Sequence, residues 1–133
     1  MTETITKHAL PTSFGAFNPV GHLMVGLPNA EHAKSFAAAL REAGWDNDAL
    51  LPFTPSESIA EFEALTEDAG ALAGFGYEIT LMRKYLALSR EGCQWLLVRV
   101  DDSEEAAQVA DVARVHGATL AVHYRMLIVE ELI

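Results

Sequence analysis

The spacing of hydrophobic positions along this chain changes several times, and the changes recur in order. From about Val20 to Leu27 the residues suit a strand. Asn29 then stands where a helix N-cap belongs, and Ala33, Phe36, Ala37, Leu40 and Ala43 follow at helical spacing until Gly44 stops the run. A short second strand is expected from about Ala49 to Phe53, with Pro52 marking it as an edge or irregular strand. The same succession returns at an offset of 73 residues: Leu96 and Val98, Asp102, Glu104, Ala106, Ala110, Arg114 and Gly117 match Leu23 and Val25, Asn29, Glu31, Ala33, Ala37, Arg41 and Gly44. Two strand–helix–strand copies in one small chain predict an α+β fold, the ferredoxin-like split βαβ sandwich.

Between the copies the pattern departs from that plan. Thr54-Pro55-Ser56-Glu57 is a capping-box start, and Ile59, Phe62, Leu65, Ala69 and Leu72 supply an apolar helical face. Gly70, Gly74 and Gly76 interrupt it, and a second helix is expected from about Tyr77 to Glu91. The expected architecture is thus the sandwich with a helical-hairpin insertion between strands 2 and 3, at about 55–92. Residues 1–19, with Pro11, Gly15 and Pro19, read as an N-terminal arm, and 20–133 as one domain. The last strand is expected to run unbroken from about Thr119 to Glu130, because Leu120, Val122, Tyr124, Met126 and Ile128 alternate throughout.

Composition narrows the partners. A net charge of −10 opposes binding to a phosphate backbone or an anionic membrane surface. The N-terminus carries no apolar signal core, and no uninterrupted apolar run reaches membrane-spanning length, so a cytoplasmic location is expected. Cys93 is the only cysteine, which excludes an internal disulfide and predicts a small buried hydrophobe at a helix-to-strand junction.

Candidate chemistry follows from strand alternation. If Leu23, Val25, Leu96, Val98, Val100, Leu120 and Val122 face the two repeat helices, the opposite sheet face carries His22, Met24, Trp95, Leu97, Arg99, Ala121, His123 and Arg125. Such an apolar face with cationic groups needs a cover: the inserted helices, a second subunit, or a small anionic or aromatic ligand held near Trp95. Glu78, inside the wide apolar arc of the second inserted helix, is the carboxylate placed to reach those cations, against the plainer role of a first-turn glutamate on the helix dipole. The candidate ligand site is therefore His22, Glu78, Trp95, Arg99, His123 and Arg125. The five histidines lack ligand spacing, so no metal or other cofactor is expected. The cluster Gly70–Gly76 follows Glu67 and Asp68 rather than a strand, which argues against a phosphate loop.

Leu23-Met24-Val25-Gly26 followed by Ala33, Phe36 and Gly44, together with Ala71-Leu72-Ala73-Gly74-Phe75-Gly76, resembles small bacterial general-stress or heat-induced domains. The resemblance spans most of residues 20–130 and implies a fold and a bacterial cytosolic setting, not a reaction. This chain departs from that pattern in its few middle-segment glycines and its extended C-terminal strand. The function expected is a non-enzymatic, self-associating protein, a homodimer with a stress-related or regulatory role. The alternatives are a small-ligand sensing domain on the second sheet face and a cofactor-independent enzyme of the dimeric sandwich type.

Overall fold

A computed structural model describes residues 21–67, 76–124 and 129–133. The N-terminal arm, most of the glycine cluster and Arg125 lie outside the described residues. The chain divides into two compact units, one made of Pro19–Phe53 and Cys93–Ile133, the other containing Thr54–Gly92. Among the described residues the fold is α+β, with four helices and one five-stranded antiparallel sheet.

The first unit holds the sheet. Strands β1 (His22–Leu27), β2 (Leu50–Phe53), β3 (Gln94–Arg99), β4 (Leu120–Tyr124) and β5 (Val129–Glu131) lie in the order β2-β3-β1-β4-β5, each antiparallel to its neighbours. Helix α1 (Ala30–Glu42) follows β1. Helices α2 (Pro55–Glu67) and α3 (Gly76–Arg90) come between β2 and β3 in the chain, and α4 (Ser103–Val115) follows β3.

The repeat is visible at both ends of its two helices. Asn29 Oδ1 accepts the His32 backbone N–H at 2.9 Å, and Asp102 Oδ1 accepts that of Glu105 at 2.8 Å. Each cap satisfies a donor that a helix start leaves without an intrahelical partner. At the C-termini, Trp45 N–H donates to Leu40 and Gly44 N–H to Arg41, while Ala118 donates to Ala113 and Gly117 to Arg114. These are paired Schellman closures, which place Gly44 and Gly117 at φ of 109° and 80°. A side chain would be strained there, which is the physical reason both copies keep glycine.

One core fills the space between the sheet and these helices. Leu23, Val25 and Leu27 of β1, Leu96 and Val98 of β3 and Ala121 of β4 meet Phe36 and Leu40 of α1 and Ala106, Val109, Ala110 and Ala113 of α4. Each large apolar side chain removed from water contributes about 1.5–3 kcal/mol before entropy is counted. The alanines on α4 and Ala121 on β4 take up little room, so helix and sheet approach closely.

Two sequence expectations are corrected in β4. Leu120 and Val122 do not face the helices: Val25 pairs with Ala121 and Leu23 with His123, so Ala121 and His123 are on the helix side. Leu120, Val122 and Tyr124 take the second face beside Gly26, Met24 and His22. All five residues of the strand are buried, so its hydrophobicity carries no sign of which parity points where. Nor does the last strand run on to Glu130. The chain reverses after Tyr124 and returns as β5, pairing Val122 with Glu131, His123 with Glu130 and Tyr124 with Val129. No Gly, Pro, Asn or Asp stands in residues 125–128 to announce that reversal.

In the second unit α2 opens with a reciprocal capping box. Thr54 Oγ1 accepts the Glu57 N–H at 3.2 Å, and Glu57 Oε1 accepts the Thr54 N–H at 2.9 Å. Phe62 of α2 and Tyr85 of α3 pack with ring centroids 5.3 Å apart at 42°. Leu81, Met82, Tyr85 and Leu86 are buried, whereas Arg83, Lys84 and Arg90 are exposed. Arg90 reaches Glu63 at 2.8 Å, an exposed ion pair of small energetic weight.

Candidate functional site

The second sheet face is the surface on which the sequence places its candidate site. Strand register builds it from Leu51 and Phe53 of β2, Trp95, Leu97 and Arg99 of β3, His22, Met24 and Gly26 of β1, and Leu120, Val122 and Tyr124 of β4. Its centre is apolar and closed to solvent: Met24, Trp95, Leu97, Leu120, Val122 and Tyr124 are all buried within the single chain.

The geometry gathers only part of the expected constellation. His22 pairs with Arg99 on one side and Tyr124 on the other, giving a cross-strand row at one end of the face. His22 is half-buried and the Arg99 side chain is exposed. The Arg99 carbonyl accepts Trp45 Nε1–H at 3.2 Å, which fixes the strand end against the loop after α1. Trp95 pairs with Gly26 and Phe53. Its ring occupies the space above Gly26, where an added Cβ would meet Trp95 Cζ3 at 2.8 Å. Trp95 therefore substitutes for the side chain that Gly26 lacks and, 1% exposed, offers no open stacking surface.

His123 does not join this group. It sits on the opposite sheet face, with Nδ1 3.8 Å from Glu130 Oε1 of β5. The residue is 4% exposed, whereas the Glu130 carboxylate reaches solvent. Pairing His123 with His22 fails for the parity reason given above: they are separated by the thickness of the sheet. Arg125 lies outside the described residues. Glu78 is in the first turn of α3, and its side chain likewise lies outside the described residues.

Sequence reasoning missed two partners. Tyr124 completes the row with His22 and Arg99, and Glu130 faces His123. The first depends on the β4 register and the second also on the return of the chain as β5, neither of which leaves a periodic signal.

Other expected residues fall in structural places. Cys93 is buried, with Sγ 3.6 Å from the Gln94 carbonyl oxygen. His32 stands in the first turn of α1 with Nδ1 2.8 Å from Asn29 Oδ1, and His116 is the C-cap of α4. Among the described residues no group of three His, Cys, Asp or Glu side chains is placed to hold a metal ion. No described helix is long and apolar enough to cross a membrane. No protein-family model, curated protein or solved structure matches the chain.

Proposed function

We propose that this chain is a non-enzymatic, self-associating cytoplasmic α+β protein that works as a homodimer in a structural or regulatory role. Its framework is the ferredoxin-like arrangement with α2 and α3 as a helical insertion. In support, β1 and β3 are central, with β4 beside β1 and β2 beside β3, as two interlocked βαβ copies require. The stress-related part of the role rests on the sequence resemblance alone.

The observation that carries the reading is the register of β4. It takes His123 off the second face and leaves that face apolar except for the His22 end. A face so built is a packing surface, and its central residues are already buried within one chain. Self-association then falls to the sheet margins. Outer strand β2 contains Pro52, which lacks an N–H to offer a partner strand. The C-terminal margin remains.

Sedimentation equilibrium across ionic strength tests the reading. Two chains of −10 charge repel each other, so dimer affinity is expected to rise as salt screens them. A chain that stays monomeric at high micromolar concentration and high salt overturns the reading.

A second reading has one observation in its favour: Arg99, His22 and Tyr124 align on three adjacent strands. The exposed Arg99 guanidinium and the half-buried His22 imidazole, with Tyr124 buried at the end of the row, suit a small aromatic carboxylate at the rim of the face. Titration with benzoate, followed through the His22 ring proton resonances, should saturate in the parent and weaken more than tenfold in Arg99→Ala. An unmoved His22 resonance removes this reading.

A further inference from the structure

The two repeat helices bring together histidines that lie far apart in the sequence. His32 stands in the first turn of α1, and His116 is the C-cap of α4. The His32 ring lies against Gly117, the residue after His116: a Cβ added there would meet His32 Cδ2 at 3.0 Å and Nε2 at 3.4 Å. The His116 ring in turn lies 6.4 Å, centroid to centroid, from Phe36, one helical turn beyond His32 on the same side of α1. Each imidazole is thus held against a close neighbour of the other, where α1 begins and α4 ends.

Asn29 sets the tautomer of the first ring. Its Oδ1 accepts the His32 backbone N–H at 2.9 Å and lies 2.8 Å from His32 Nδ1. An amide oxygen only accepts, so Nδ1 carries a hydrogen and donates it. In the neutral ring the lone pair is then at Nε2, on the side turned toward Gly117. Metal-binding histidines are held in this way, one ring N–H fixed by an oxygen and the other nitrogen left for the cation. Neither His32 Nε2 nor either ring nitrogen of His116 makes a hydrogen bond among the described residues. His32 is exposed and His116 half-buried, so an ion reaches both from solvent.

The scaffold does not ask for these histidines. At the 73-residue offset their counterparts are Glu105 and Ala43, and the same helix cap and the same helix closure form in both copies. The pair therefore breaks the internal repeat at two positions that the fold brings side by side.

We propose that His32 Nε2 and His116 together hold a divalent transition cation of the zinc class, with water completing its shell. Imidazole nitrogen suits such ions, and a chain of −10 charge draws cations toward it. Two protein ligands make a weaker site than the three or four of catalytic and structural zinc centres. The site bridges the two repeat helices and is independent of self-association.

Zinc titration of the full chain, read in the imidazole 1H–15N spectrum, tests the site. His32 and His116 should shift together and saturate at one zinc per chain, with the change at Nε2 of His32 and its Nδ1–H kept. His8, His22 and His123 serve as internal references. His32→Gln and His116→Gln should each weaken binding by about tenfold or more, since even outer-shell partners of a metal carry that much. His32 is exposed, so its replacement leaves the core intact even where loss of the His116–Phe36 contact disturbs the other variant. Zinc that shifts only one of the two rings, or shifts the reference histidines instead, overturns the site. Unchanged affinity in His32→Gln overturns it as well.

Discussion

Phe36→Ala should destabilise the sheet unit by about 3–5 kcal/mol, the range for emptying a buried aromatic site. Phe36 is 0% exposed and is the largest side chain that α1 contributes to the core. Its ring lies 6.4 Å from that of His116, the C-cap of α4, so it fills space where the two repeat helices come together. Its counterpart in the second copy, Val109, is equally buried but smaller, so Val109→Ala should cost less. Val115→Ala, at a position 82% exposed, should stay within about 0.5 kcal/mol of the parent. Urea unfolding followed by tryptophan emission is the measurement. Both tryptophans, Trp45 and Trp95, belong to the sheet unit, so the signal reports that unit and not the helices of 54–92. If Phe36→Ala shifts stability no more than Val115→Ala does, the core assignment for α1 is wrong.

The parts of the fold legible in the sequence are those fixed by local chemistry. Asn29 and Asp102 mark helix starts because a short polar side chain can take a free backbone N–H. Gly44 and Gly117 mark helix ends because the closure there needs positive φ. Thr54 and Glu57 announce α2 by the same kind of reasoning. What was not legible depends on relations between strands. On β1 and β3 strand alternation assigns the right faces, with Leu23, Val25, Leu96 and Val98 all in the core beneath the helices. β4 has no such guide, since Leu-Ala-Val-His-Tyr is buried at every position. The other parity puts His123 on the helix side and so takes one of the four expected cationic groups off the second face. The β5 reversal was hidden for a different reason: turn chemistry is absent and strand alternation continues through 125–128. Glu130 consequently faces His123 rather than extending the strand.

Gly26→Ala should cost about 1–3 kcal/mol, as overpacking of a close-packed site does. The new methyl would come within 2.8 Å of Trp95 Cζ3 and 2.9 Å of Cys93 Sγ. Neither neighbour has room to give, for Trp95 is 1% exposed and Cys93 3%. The indole's outer ring atoms make the closest approach, so removing them in Trp95→Phe should recover part of the loss. The comparison is a double-mutant cycle: Gly26→Ala is measured in the parent and in Trp95→Phe, and the penalty should be smaller in the second. Equal penalties would mean that the indole does not occupy the space over Gly26. The result also bears on function. An indole wedged over a glycine holds β1 and β3 together, and a ligand could stack on it only after the sheet had loosened. A reduced penalty in the cycle would therefore identify Trp95 as a packing residue. The His22–Arg99–Tyr124 row would then have to bind without an aromatic platform, which leaves the C-terminal edge as the surface best suited to a partner.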